Sequence, residues 1–301
     1  MPGRLCRIGT GFAGEFEGMA LWQSFPDAEI EEIRQQWREH GVLVFRRQSL
    51  SEEELLRFSA RFGDLEEHPR ADWNSRSNAE VLLLSNLRNF AGIEIGGLGA
   101  GEIAWHSDQS YKTEPGTGAI LYAVEVPERG AATYFANMRL AYAGLSDAEQ
   151  RRIADCLALY DYARRAASYS GQQPDRDEIR RRFPRVTHRL VYADPLSGER
   201  SLYLDPLTTA GIVGWPDGEA RAVLDALAAH ATRDEFVYRH DWRLGDVVMW
   251  DNGYMLHRRD PVGEAPRLMK RTTIRLPSDR HVIPWGSVYE GWQRPSERGT
   301  S

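Results

Sequence analysis

Residues 119–138 read AILYAVEVPERGAATYFANM, and this stretch decides the fold. Two short apolar runs, AILYAVEV (119–126) and ATYFANM (132–138), are rich in β-branched and aromatic residues and are separated by PERGA. Runs of this length and composition read as strands. The same signature recurs on both sides. Upstream are VLVF (42–45) and EVLLLSN (80–86). Downstream, RLVYAD (189–194) and SLYLD (201–205) flank PLSGER, a hairpin turn, and EFVYRHDW, DVVMWDN and TTIRL follow. Strands outnumber helices and do not alternate with them, which argues against a doubly wound nucleotide fold; no GxGxxG or P-loop follows a strand. The expected architecture is mainly β with flanking helices, a jelly roll or double-stranded β-helix.

Four helices are readable. Residues 27–39 carry Ile30, Ile33 and Trp37 at helical spacing. Residues 52–62 and 147–158 each open on a capping box, Ser51 with Glu54 and Ser146 with Glu149. Residues 217–231 bury Val223, Leu224 and Leu227. Each apolar stripe is read as core packing. The chain reads as one domain over 1–301. Its jelly-roll core spans roughly 80–276, its N-terminal helices lie at 27–62, and a helical or loop insertion lies at 146–185.

Composition narrows the function classes. Of 301 residues, 42% are hydrophobic and 27% charged, which excludes a disordered, collagen-like or coiled-coil chain. A net charge of −6 excludes a general polyanion binder. Of the 38 basic residues only Lys112 and Lys270 are lysines, so a single arginine carries little information without context. The arginine-rich stretch 160–189 interleaves with acids and reads as a solvated helical face, with a nucleic-acid surface as the rival reading. Residues 87–104 hold five glycines and read as a mobile loop. Cys6 and Cys156 make neither a disulfide framework nor a CxxC site. There is no apolar h-region and no apolar run of spanning length, so a cytoplasmic protein with no membrane or nucleic-acid partner is expected.

The chemistry-bearing residues lie in two distant segments. Trp105-His106-Ser107-Asp108 places an imidazole and a carboxylate two apart, on one face if the chain is extended. DVVMWDN leads to His257, and a second histidine on a facing strand would complete a set of two histidines and one carboxylate. That set leaves half of a six-coordinate metal open, which suits non-haem Fe(II) and oxygen chemistry. An HxD pair alone is a weak signal. Arg267, ten residues beyond His257, adds a cation able to grip a carboxylate bidentately.

These segments, with HGVLVFRRQSLS, RFGDLEEHP, PGTGAILYAVEVPERGAATYFANM, AYAGLSD, DPLSGERSLYLDP and RLMKRTTI, resemble the taurine dioxygenase / 2,4-dichlorophenoxyacetate dioxygenase family of Fe(II)- and 2-oxoglutarate-dependent oxygenases over roughly 30–276. The resemblance implies that His106, Asp108 and His257 bind Fe(II). It implies that Thr133 and Arg267 hold the far carboxylate of 2-oxoglutarate, with O2 as oxidant. Thr133 stands in GAAT where the family usually shows GGDT. Arg271 matches a position that holds an anionic substrate group, although it could instead pair with a core carboxylate. His68 matches a substrate-contacting histidine, with an ordinary surface histidine as the alternative. Gln109 matches a position that meets substrate through its backbone. Glu102 and Ala71 replace an asparagine and a tyrosine of the taurine enzymes, which argues against taurine itself. His188 and His281 have no supporting context. The implied reaction is hydroxylation of a small anionic, carboxylate-bearing molecule with succinate and CO2 as co-products. Desaturation, cyclisation or oxidative cleavage of a carbon–heteroatom bond at the same iron site are alternatives, as is a catalytically silent jelly-roll binding protein. A homo-oligomer, dimer or tetramer, is expected from the resemblance.

Overall fold

The long strand that holds AILYAVE, Gly118–Glu125, is buried along most of its length on both faces. Side chains alternate across a strand, so the two faces meet different neighbours. Ile120 and Tyr122 point outward and pack with Val247 and Met249 against Ile33, Trp37 and Phe58. Ala119, Leu121 and Ala123 point inward, toward Leu82, Leu84, Phe135 and Trp250. A strand covered on both sides has no polar face, which is why the run shows no alternation. The structure is a computed structural model that describes residues 3–68, 71–170, 175–276, 283 and 286–290.

The strands that build the site, in chain order, are β1 (Val42–Phe45), β2 (Leu82–Ser85), β3 (Ile103–His106), β4 (Gly118–Glu125), β5 (Thr133–Asn137), β6 (Val237–His240), β7 (Val247–Asp251), β8 (Met255–Arg259) and β9 (Leu268–Arg275). The larger sheet runs Arg4–Ile8, Ala13–Glu17, β1, β7, β4, β9, β2, Gly97–Leu98, with Asp64–Glu66 also paired to β9. The smaller sheet runs β6, β5, β8, β3. From β3 to β9 the chain changes sheet at every step except between β5 and β6. This is a double-stranded β-helix, and its two sheets enclose the cavity described below.

Two helices, α1 (Asp27–His40) and α2 (Glu52–Ser59), cover the outer face of the larger sheet. α1 ends at Gly41, whose φ of +71° lets its N–H return to the Trp37 carbonyl at 2.7 Å. A Cβ at Gly41 would lie 2.1 Å from Met255 Cε, so the position has room for glycine alone. The long connection from β5 to β6 carries α3 (Met138–Ala143), α4 (Asp147–Ile153), α5 (Tyr162–Ser170), α6 (Arg176–Arg182) and α7 (Asp217–Ala231).

Several elements differ from the sequence reading. α2 stops at Ser59 and α4 at Ile153, both short of the expected 62 and 158. Leu157–Tyr160 pairs as a strand with Val186–Arg189 and Thr209–Ile212, and that ladder overrides the helical pattern. RLVYAD divides at Leu190, with Val186–Arg189 in one sheet and Val191–Ala193 in the PLSGER hairpin. The N-terminal hairpin Arg4–Ile8 with Ala13–Glu17 escaped notice because its residues show little alternation.

Candidate active site

His106 ends β3 and His257 sits within β8, and the two are direct partners across this antiparallel pair. Their ring centroids are 4.1 Å apart. Asp108 joins them by a different route from the one its spacing suggested. The strand stops at His106, and Asp108 lies in the turn that follows, next to Gln109 at φ +56°. The turn, and not alternation along an extended strand, brings the carboxylate back. It is held by Ser107 Oγ donating to the Asn252 carbonyl at 2.9 Å and by the Gly116 N–H donating to Gln109 Oε1 at 3.0 Å.

Asp108 Oδ1 is 3.7 Å from His106 Nε2, and Asp108 Oδ2 is 3.5 Å from His257 Nε2. One ligand atom from each residue lies within 4.8 Å of the others, and no other such group of His, Cys, Asp or Glu exists among the described residues. His106 Nδ1 is 2.8 Å from the Ala104 carbonyl, which only accepts, so Nδ1 carries the proton and Nε2 presents a lone pair. Burial pushes both imidazoles toward the neutral form, His257 to about 4. Burial works against ionisation of Asp108, but Arg271, followed by the two histidines, outweighs it and holds the carboxyl far below its ordinary range. The cluster therefore offers two neutral imidazoles and one carboxylate, a donor set that fits a first-row divalent metal.

Arg271 Nη2 donates to Asp108 Oδ2 at 2.6 Å, and its guanidinium lies 5.5 Å from the Trp250 ring centroid. The alternative of a carboxylate partner for Arg271 is thus realised, and that partner is the candidate metal carboxylate. Arg271 Nε has no hydrogen-bond partner.

Arg267 precedes β9 and is 2% exposed. Its Nε and Nη1 have no hydrogen-bond partner. Burial, followed by repulsion from Arg259, draws its guanidinium down to about 9. A buried cation without an acid among the described residues is expensive, and an anion entering the cavity would offset that cost. Thr133 starts β5 and faces the same cavity, 5% exposed. Arg259 donates from Nη2 to the carbonyls of Leu98 at 3.0 Å, Gly99 at 3.1 Å and Gly101, which ties down the glycine-rich segment read as a mobile loop.

All eight candidate residues line one cavity of about 890 Å³. His68 stacks on Trp73 with centroids 5.6 Å apart and planes 7° apart. Glu102 is exposed and borders the cavity. His188 is elsewhere, its Nε2 2.9 Å from the Lys112 carbonyl, and His281 lies outside the described residues. The stretch 160–185, expected from the sequence to supply a pocket wall, does so through α5 and α6. Tyr162, Arg165, Ile179, Arg182 and Phe183 all line the cavity, so the arginine-rich stretch is solvated on one side and faces the site on the other. Tyr111, Tyr162 and Phe183 form one aromatic cluster with centroid distances of 4.3 to 5.8 Å. Arg165 Nη1 comes within 3.5 Å of the Ser107 carbonyl, between the two N-terminal candidate ligands.

A double-stranded β-helix that gathers two histidines and an aspartate beside a buried arginine defines an Fe(II)- and 2-oxoglutarate-dependent oxygenase. The chain belongs to the taurine catabolism dioxygenase TauD, TfdA family, which matches residues 8–273. It is 33% identical over 275 residues to the alpha-ketoglutarate-dependent 2,4-dichlorophenoxyacetate dioxygenase of Cupriavidus pinatubonensis, covering 87% of this chain and 94% of that one. It is 30% identical over 298 residues to pentalenolactone F synthase of Streptomyces avermitilis, covering 92% and 94%. The crystal structure of AAD-2 in complex with Mn(II) and N-oxalylglycine aligns with a TM-score of 0.77 at 30% identity, covering 92% of this chain and 98% of that one. The protein is an oxidoreductase that uses Fe(II), 2-oxoglutarate and O2. Among the described residues no helix is long and apolar enough to cross a membrane.

Proposed function

We propose that His106, Asp108 and His257 hold Fe(II), that Arg267 and Thr133 hold the far carboxylate of 2-oxoglutarate, and that the protein hydroxylates a small anionic organic substrate. Arg267 carries this reading. It is a buried guanidinium with two unpartnered nitrogens in the same cavity as the His-Asp-His cluster. A dicarboxylate that reaches the cluster with one end and Arg267 with the other satisfies both.

When bound, the iron and 2-oxoglutarate supply the oxidising power, by which O2 is consumed, succinate and CO2 are formed and a substrate C–H bond is hydroxylated. The chain's own residues bind and orient. His106 is fixed by its bond to the Ala104 carbonyl, and Asp108 is aimed by Arg271. Leu82, Leu84, Leu121 and Trp250 give the cavity an apolar wall that excludes water. Arg271, with one nitrogen committed to Asp108, offers its remaining donors to a substrate anion. His68 and Gln109 line the same cavity. Arginines outnumber acids around the cavity, which favours an anion, as does the 2,4-dichlorophenoxyacetate in a relative's name.

The same reading takes residues 1–301 as one oxygenase domain acting as a homo-oligomer in the cytoplasm. The free cysteines Cys6 and Cys156 suit a reducing compartment, and the exposed Phe90 and Ile93 offer apolar surface to a second copy.

Anaerobic calorimetry of 2-oxoglutarate binding, with and without Fe(II), tests the site. The wild type binds 2-oxoglutarate more tightly with Fe(II), and His106→Ala loses that dependence by roughly tenfold or more. Iron-dependent binding that survives His106→Ala overturns the ligand assignment.

A further inference from the structure

We infer that Trp242 is a positioning residue for 2-oxoglutarate and acts through the hydroxyl of Thr133. The inference rests on the co-substrate site proposed above.

Trp242 follows β6 and is buried at 7% exposure. Its indole Nε1–H donates to Thr133 Oγ1 at 2.9 Å. An indole nitrogen can only donate, whereas a threonine hydroxyl carries one proton and two acceptor lone pairs. The shared bond therefore uses a lone pair of Thr133 and leaves its proton uncommitted. Thr133 Oγ1 makes no other hydrogen bond among the described residues. Thr133 lines the cavity that also holds Arg267, so that proton is available to an acceptor bound there. An acceptor placed there receives a preset donor, with less rotor freedom to lose on binding.

The indole is itself held in place. The His240 ring packs edge-on against Trp242, with centroids 4.5 Å apart and planes at 79°. His240 is the direct cross-strand partner of Thr133. Its two ring nitrogens lie 3.0 Å from the Tyr238 hydroxyl and 3.2 Å from Asp246 Oδ2. Asp246 in turn accepts from Arg46 Nη1 at 2.6 Å and from the Arg243 N–H at 2.8 Å. This buried network fixes the wall on which Trp242 leans. A phenylalanine would fill most of the same volume, so the indole N–H is the feature that volume alone does not explain.

The test is a double-mutant cycle on the Fe(II)-loaded, anaerobic protein, read by calorimetric titration with 2-oxoglutarate and not by turnover. Trp242→Phe should raise the 2-oxoglutarate Kd about threefold to tenfold, the worth of one ordinary hydrogen bond. In a Thr133→Val background the same change should leave Kd unmoved, because the hydroxyl through which it acts is gone. Thr133→Ser, which keeps the hydroxyl, should restore sensitivity to Trp242→Phe. An equal loss in the Thr133→Val background, or no loss in the wild type, overturns the inference. If Trp242→Phe does not fold, zinc-loaded protein labelled at the indole nitrogens carries the test. One indole N–H resonance should move on Thr133→Val, and the same resonance should move when 2-oxoglutarate is added to the wild type. Indole resonances indifferent to both overturn it.

Discussion

Arg267→Met separates the binding role of this arginine from any structural one, because the two effects have opposite sign. The wild-type guanidinium is 2% exposed, and its Nε and Nη1 have no partner. Each buried unsatisfied group costs about 1–3 kcal/mol. Burial also draws the guanidinium down to about 9, which amounts to several kcal/mol set against the charged form. Methionine keeps most of the stem and removes the orphaned charge. After about 1 kcal/mol for imperfect packing, the ligand-free variant should gain about 1–4 kcal/mol. At about 2–4 °C per kcal/mol, its melting temperature should rise by several degrees. Binding should move the other way. Loss of a bidentate, charge-assisted contact at roughly 2–4 kcal/mol weakens 2-oxoglutarate by about 30-fold to 1,000-fold. Ligand at 100 times the wild-type Kd stabilises the wild type by about 2.7 kcal/mol and should stabilise the variant by less than about 1 kcal/mol. Melting curves of the anaerobic, Fe(II)-loaded proteins with and without 2-oxoglutarate measure both effects. A variant that melts below the wild type without ligand, and shifts as far as the wild type with 2-oxoglutarate, refutes the reasoning.

Two further perturbations test the surroundings. A Cβ at Gly97 would lie 2.1 Å from the Trp73 ring, whereas a Cβ at Gly101 in the same segment meets nothing within 4 Å; Gly97→Ala should lose about 1–3 kcal/mol in thermal unfolding while Gly101→Ala is neutral, and equal effects would contradict the packing of Trp73 and the His68 stacked on it. Glu66 is raised by burial, but Lys112 and then Arg275 outweigh this and hold it below its ordinary 4.5. The unfolded chain then binds the extra proton between the two values, so the contribution is complete above about 4.5 and fades as pH falls through the folded value. Glu66→Gln should therefore cost about 1–2 kcal/mol at pH 7, with the deficit shrinking toward pH 4; a deficit independent of pH counts against the ion pairs.

The core strands and the two long helices were legible because their burial is periodic and local. Ile30, Ile33 and Trp37 recur at helical spacing and pack where that spacing puts them. β4 and β7 are continuous apolar runs because helices cover one face and the cavity side covers the other. What escaped depends on partners distant in sequence. Leu157–Tyr160 is a strand only because Val186–Arg189 and Thr209–Ile212 lie beside it. The site shows the same division. His106 and Asp108 were rightly grouped, but for a geometric reason that fails, since the strand ends before Asp108 and a left-handed Gln109 follows it.

The arginines show why substrate identity is harder to read than reaction class. In a chain where all but two basic residues are arginine, position along the chain does not distinguish one from another; burial and partners do. Arg139 is buried against Asp194, and Arg271 against Asp108, so both are matched within the chain. Arg267 is buried without an acid among the described residues, and its proposed role toward a carboxylate rests on that mismatch. Arg267 lies just before β9, while β5 and β8 carry Thr133 and His257. Arg165 and Arg182 reach the same cavity from α5 and α6, within the long connection between β5 and β6. That connection also braces the turn after β3, through Asp205 and Thr208 on Ser110. The metal-cluster residues sit on or beside β3 and β8, whereas Tyr162, Arg165, Arg182 and Phe183 line the cavity from a part of that connection that carries no motif segment, so the reaction class is legible in the sequence where the proposed substrate is not.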